Sequence, residues 1–253
     1  MHQNKSFSVR ENDGINYPRS LIFELTAQVG GLSSIILHKL PLDPPIPDAA
    51  TSSVVDEKEY KLSRQDNAPK DDISASMARI LLTIIKLSHS LSVNLESSVI
   101  KKMKLNAKKY PAELVRGKSG KYTKYTDVTG ISKEEGQSTL HMEGTNSPET
   151  VESFLDSIDS LTMEIRSFAT DREWSRFHLP RNLALALIGE LGELAELFQW
   201  RGDHAGLESI SNVELDKIGQ ELADVTIYLL RLADVCHYDL CSQTKMLLSG
   251  DEA

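Results

Sequence analysis

Apolar residues recur at helical spacing over long stretches of this chain, and two of those stretches carry acidic residues in pairs. In Asn182–Trp200 (NLALALIGELGELAELFQW), Leu187, Leu191, Leu194 and Phe198 fall on one side of a helix. In Glu214–Val235 the stripe is Ile218, Leu222, Val225, Leu229 and Leu232. A third stretch, Glu149–Ala169, carries Val151, Phe154, Leu155, Ile158, Leu161 and Ile165 with the same period. Strand-like alternation is weak throughout, so the pattern predicts an all-α fold. Two segments keep no period: Pro41–Ala68 is rich in Pro, Ser and charge, and Tyr125–Pro148 carries Gly130, Gly136 and Gly144. They read as a long loop and a linker.

Residues three apart on a helix lie within about 60° of each other. Glu190 and Glu193 therefore project together, and so do Glu221 and Asp224. The turn-like Arg201–Gly206 lets the second helix return antiparallel beside the first, so that four acidic oxygen donors converge. Oxygen-only ligation suits a hard cation, Mg²⁺ or Mn²⁺. Glutamates on helices are commonly just solvated. Here the apolar run Leu183–Ile188 and the setting of Asp224 in LADVTIYLL predict partial burial, where an unpaired carboxylate is costly. Glu196 reads as a surface residue.

The run Phe177–Trp200 (FHLPRNLALALIGELGELAELFQW), followed by Gln220–Leu240 (QELADVTIYLLRLADVCHYDL), resembles the all-α nucleoside triphosphate pyrophosphatases of the MazG-like superfamily, specifically their dCTP pyrophosphatase branch. The resemblance covers residues 150–240. It implies a helical bundle assembled as dimers or dimers of dimers, Mg²⁺ held by Glu190, Glu193, Glu221 and Asp224, and release of a nucleoside monophosphate and pyrophosphate. It also implies a nucleotide pocket lined by Trp174, His178, Trp200 and Tyr228, with polar contacts from the Arg176–His178 segment. Ile165 stands where some relatives place a base-contacting histidine. Glu193 and Glu221 are the candidate catalytic carboxylates, Glu193 as the acceptor of a proton from water. The chain has only two tryptophans, both close in sequence to the acidic pairs; stacking on a base is worth about 1–3 kcal/mol, and core packing is the alternative use of such rings. Tyr228 follows Asp224 by one helical turn.

A second pattern is an internal repeat. Tyr17–Lys39 aligns without gaps on Leu179–Arg201, with Pro18 on Pro180, Arg19 on Arg181 and Gly30 on Gly192. Likewise Asp72–Leu95 follows Lys217–Leu240. The reading is of two tandem copies: a degenerate one at 1–124, a linker at 125–148 and a catalytic one at 149–253. In the first copy the ligand positions hold Gln28, Gly31, Ser76 and Arg79, and His38 stands for Trp200. No carboxylate survives there, and Arg79 is expected to put a positive charge where an ion belongs. The first copy nevertheless carries Lys101–Lys109 (KKMKLNAKK) and Val115–Thr123, resembling the family's C-terminal tail, in which a Lys and an Asn reach the triphosphate. Here these are Lys102 and Asn106, on one helical face. The second copy has Leu247 and Asp251 instead. A pseudo-dimer in which the first copy lends Lys102 and Asn106 to the single competent site follows as an expectation, with two such chains pairing as a homodimer.

Composition limits the alternatives. A formal net charge of −9 argues against a nucleic-acid-binding surface, and 40% hydrophobic residues in 253 can supply a sizeable core. Cys236 and Cys241 have no metal or disulfide spacing and are expected to pack in a reducing compartment. No signal-peptide pattern is evident, and no unbroken apolar run nears a membrane span, so a soluble intracellular protein is expected. Two other classes are a nucleotide-binding relative without turnover, and a helical scaffold with no chemistry.

Overall fold

The computed structural model describes residues 17–40, 42, 70–118, 150–202 and 210–250. The linker at 125–148, nearly all of the Pro41–Ala68 loop, residues 203–206 of the expected turn, the end of the Val115–Thr123 segment and Asp251 lie outside the described residues. So does whatever precedes Tyr17.

Among the described residues the structure is all helix, as the periodicity predicts, with no strand. The elements are α1 (Pro18–Lys39), α2 (Lys70–Ser90), α3 (Leu95–Lys109), α4 (Ala112–Val115), α5 (Val151–Asp171), α6 (Pro180–Glu196), α7 (Asn212–Val235) and α8 (Leu240–Ser249). Their ends have local chemical causes. Pro18 and Pro180 open α1 and α6, where a missing N–H costs nothing. Thr150 caps α5 by accepting from Ser153 N at 3.0 Å. Ser211 and Glu214 form a reciprocal capping box at the start of α7. Helix α6 stops at Glu196, short of the expected Trp200, and Leu197–Trp200 fold into a turn.

Two long antiparallel pairs organise the core. Helix α1 packs on α2, and α6 on α7. Each is tied by an ion pair where the chain turns back: Lys39, the last residue of α1, with Asp72 near the start of α2, and Arg201, in the turn after α6, with Glu214 in the first turn of α7 at 2.8 Å. The pairs touch through α1 against α6 and α2 against α7. Arg19 donates to the Arg201 carbonyl, and Arg181, its aligned counterpart, donates to the Leu37 and Leu40 carbonyls at 3.1 and 3.0 Å. One apolar core runs through both pairs, from Leu21, Leu25, Met77 and Leu81 to Leu187, Leu191, Leu222 and Leu229.

The connections after α2 and α7 also match. Ser92 and His237, both at positive φ, reverse the chain at aligned positions. Asn94 then caps α3 by accepting from Ser97 N at 2.8 Å, and Asp239 caps α8 by accepting from Ser242 N at 2.9 Å. Each short helix crosses to the other pair: α3 packs on α7, and α8 on α2. At the first crossing, a Cβ added to Gly219 would sit 3.2 Å from Ser98 Oγ, so glycine permits the close approach of α3 to α7.

One expectation needs correction. Helix α1 is long and apolar enough, at a mean hydropathy of 1.5, to meet the length and composition of a membrane span. Polar residues such as Glu24, Thr26 and Gln28 interrupt its apolar ones, so the sequence shows no unbroken apolar run of that length. Its inward face, Leu21, Leu25, Val29, Leu32 and Ile36, is buried in the bundle. Neither cysteine forms a disulfide; Cys236 is buried and the Cys241 thiol donates to the Leu155 carbonyl at 3.3 Å.

Candidate active site

The stripes that bury α6 and α7 against each other set the acidic residues at the seam. Leu187, Leu191 and Leu194 face the core, which turns Glu190 to the edge of the contact, half-buried. On α7, Leu222, Ala223 and Val225 are buried, and Glu221 and Asp224 flank them on one side. Oxygens of Glu190, Glu221 and Asp224 all lie within 4.8 Å of one another. Glu193 is exposed and stands outside this group.

Like charges gathered in a partly dry place resist ionisation. Burial, then Asp224, Glu193 and Glu221, push the Glu190 carboxyl up to about 7 against the pull of Lys102. Burial also raises Glu221 and Asp224, opposed at both by Lys102. One oxygen of Glu221, Oε2, is buried with no hydrogen-bond partner.

The positive charge in the cluster comes from the other half of the chain. Helix α3 is anchored on α7 by the Gly219 contact, by an ion pair of Lys101 with Asp216 and by the buried Val99 and Met103. Lys102 thereby forms an ion pair with Asp224, and the Asn106 side chain, one turn on, hydrogen-bonds the same carboxylate. Burial disfavours the Lys102 charge, yet Asp224, then Glu221 and Glu190, outweigh it and hold the ammonium above its ordinary range.

The donor set fits a hard divalent cation: all oxygen, three carboxylates from two rigid helices, and an orphaned Glu221 oxygen that lacks a proton donor. Lys102 alone leaves the cluster short of positive charge.

Beyond the carboxylates lies a group of rings. Trp174, in the turn after α5, is half-buried; it meets Tyr110 edge-on at 5.4 Å and Phe168 at 5.8 Å, and its Nε1 donates to the Lys118 carbonyl at 2.9 Å. His178 is 6.1 Å from Trp174, ring to ring. Arg231 of α7 donates its Nε–H to His178 Nδ1 at 3.1 Å. Burial, then the Arg231 charge, depress the His178 imidazole to about 3. Tyr228 is half-buried, and burial, then Glu190 and Asp224, push its hydroxyl above its ordinary range. Arg176 donates to the Gly117 carbonyl and lies over the Phe177 ring at 4.8 Å. Gly117 has φ +69, and an added Cβ would stand 2.9 Å from Arg176 Nη2, so this contact requires glycine.

The structure therefore brings Glu190, Glu221, Asp224, Lys102 and Asn106 into one cluster, with Trp174 and His178 packed side by side. Tyr228 lies one turn from Asp224. Arg176 is engaged with the Gly117 loop. Trp200 is 90% exposed in the turn after α6, packed against none of these groups. Arg79, expected to replace the ion in the first copy, is exposed rather than set into a site. Tyr110 and Arg231 were missed as site residues. An arginine seven residues past Asp224 within an apolar helix was the available signal.

The class so defined is an all-α bundle with a carboxylate centre suited to a divalent cation. Comparison with known proteins gives a particular likeness. A 74-residue segment is 54% identical to dCTP pyrophosphatase 1 of Rattus norvegicus and of Homo sapiens, and 53% identical to that of Bos taurus, covering 29% of this chain and 44% of each relative. The resemblance to dCTP pyrophosphatases read from the sequence thus holds over that segment, and the all-helical fold agrees with it. The chain spans less than half the length of the curated relatives it matches. No family model matches the chain, and no solved structure matches it significantly.

Proposed function

We propose that this chain is a divalent-cation-dependent pyrophosphatase that converts dCTP to dCMP and pyrophosphate. The observation that carries the reading is the convergence of Glu190, Glu221 and Asp224 within 4.8 Å, joined by Lys102 from a distant part of the chain. The likeness of the segment to dCTP pyrophosphatase 1 supplies the base.

Glu190, Glu221 and Asp224 hold Mg²⁺ or Mn²⁺ in this reading. The ion, when bound, neutralises triphosphate charge and acidifies water. Lys102 and Asn106 contact phosphate oxygens. Water attacks the α-phosphorus in line; a new P–O bond forms as the bond to the bridging oxygen breaks, and pyrophosphate leaves. Glu193, exposed and outside the carboxylate group, accepts the proton of the attacking water. Trp174, His178 and Tyr228 line the base and sugar, with Arg176 shaping the Gly117 loop beside them.

Two tandem copies forming a pseudo-dimer account for the crossed packing of α3 and α8 and for the matched turns at Ser92 and His237. Two chains would pair through the exposed apolar residues of α1 and α6, Phe23 and Leu37 with Leu185 and Ile188. Purified protein incubated with Mg²⁺ and a panel of deoxy- and ribonucleoside triphosphates tests the reading. It predicts monophosphate and pyrophosphate from dCTP; release of single phosphates, or no product from any nucleotide, contradicts it. The Lys102–Asp224 ion pair favours a second reading, a nucleotide-binding relative without turnover, because an ammonium already engages a ligand carboxylate. Binding of dCTP without pyrophosphate would select it.

A further inference from the structure

Three charged residues that take no part in the proposed chemistry end on the pocket's histidine. Arg166 of α5 donates Nε to both oxygens of Asp234, at 3.1 and 3.2 Å. Asp234 in turn pairs with Arg231, which is 6% exposed. Arg231 then donates to His178 Nδ1. A guanidinium has only donors and does not deprotonate in proteins. Nδ1 of His178 must therefore be the bare nitrogen, and the ring proton must sit on Nε2. Nε2 has no hydrogen-bond partner among the described residues.

The position of this ring matches a base rather than a phosphate. Asp224, Tyr228 and Arg231 follow one another along one face of α7, and Arg231 lies about 10 Å along the helix from Asp224. His178 is held beyond Tyr228, next to the Trp174 ring. The histidine is also kept from charging. Burial, then the charge of Arg231 with Asp234 and Arg166 behind it, holds the imidazole neutral to about pH 3. A permanently neutral ring with one fixed N–H is a donor and nothing else.

We propose that Arg231 is a positioning residue that fixes His178 as the Nε2–H tautomer, and that this N–H donates to N3 of the pyrimidine ring. Cytosine presents a bare N3 there, whereas thymine and uracil present an N–H, so the fixed tautomer favours cytosine. This rests on the nucleotide reading given above. A site built around a specific hydrogen bond discriminates strongly against partners that cannot complete it.

The test combines ring NMR with kinetics on the full chain. In ¹⁵N-labelled wild type, with the signals assigned through His178→Gln, His178 should show a protonated Nε2 and a bare Nδ1 and should not titrate between pH 5 and 8. Adding dCTP without a divalent ion should shift the Nε2 proton more than dTTP does. Arg231→Met, in which Arg166 still balances Asp234, should let the ring exchange tautomers and should raise its pKa, with burial still holding it below its ordinary range. Its KM for dCTP should rise about tenfold, with kcat little changed, and preference over dTTP and dUTP should fall by a similar factor. Arg231→Lys, which keeps a donor, should recover part of that preference. A protonated Nδ1 in the wild type, titration near pH 6.5, or unchanged base preference in a folded Arg231→Met protein overturns the proposal. The wild-type ring spectrum needs neither a variant nor turnover, so a wrong tautomer is distinguishable from a protein that hydrolyses no nucleotide.

Discussion

The pairs α1–α2 and α6–α7 share geometry and part company in chemistry. Both open on proline, both are closed by an ion pair across the far end, and both lead through a positive-φ residue into a capped short helix. At the seam of α6–α7 three carboxylates meet beside Lys102. At the seam of α1–α2 one carboxylate, Glu24, accepts from Gln28 Nε2 at 3.1 Å and from Thr83 Oγ1 at 3.4 Å. Amide and hydroxyl donors occupy one oxygen of Glu24, and its other oxygen, like Glu221 Oε2, is buried without a partner; what sets the α6–α7 seam apart is that three carboxylates meet there where the α1–α2 seam has one. The backbone of a helix pair thus fixes where seam residues stand, and three or four side chains decide whether that place calls for a cation.

The largest break in this comparison should come from Glu221→Gln, which preserves shape and removes charge. Pyrophosphate release should fall by about 10²-fold or more, reflecting several kcal/mol of lost charge stabilisation. Gln28→Ala, in the corresponding seam of α1–α2, should leave kcat nearly unchanged in the same assay. Metal addition sharpens the contrast without turnover. At a concentration of 100 times Kd, Mn²⁺ should stabilise the wild type by about 2.7 kcal/mol; thermal unfolding should show this shift in Gln28→Ala and not in Glu221→Gln.

Lys102→Ala tests the crossing of α3 onto the other pair. Losing a charge-assisted contact should raise KM for dCTP about tenfold or more, and an unchanged KM removes Lys102 from the site. For His178 the sign follows from its depressed folded pKa, about 3 against an ordinary 6.5. Between these values the unfolded chain binds more protons, so stability is full above pH 6.5 and is lost as pH falls below it. At pH 5 the cost is about 2 kcal/mol, and urea unfolding of His178→Gln should lack that loss. The smallest effect is expected at Trp200, 90% exposed. Trp200→Ala should change stability by less than about 0.5 kcal/mol, and a raised KM at constant stability would show that the ring meets nucleotide.

Much of this was legible in the sequence because helical period and capping are local. The stripes of α5 and α7 match the observed spans to within two residues at either end, and the acidic spacing picked out Glu190, Glu221 and Asp224. What escaped is set by depth and by partners from elsewhere. Spacing by three puts Glu193 on the side of Glu190 but says nothing of how far it reaches inward, and it stays exposed. The apolar period ran on to Phe198, so the turn that carries Trp200 outward was hidden. The hydrogen bond from Arg231 to His178 joins residues far apart in sequence, and no local pattern announces it. Lys102 was legible only through the proposed repeat, in which the first copy carries a Lys/Asn tail and the second does not.

The most direct test follows labelled dCTP with Mg²⁺ in wild type and Glu221→Gln side by side. The account predicts stoichiometric dCMP and pyrophosphate from the wild type and a loss of both in the variant; equal rates from the two proteins, or no product from a wild type that binds dCTP, would contradict it.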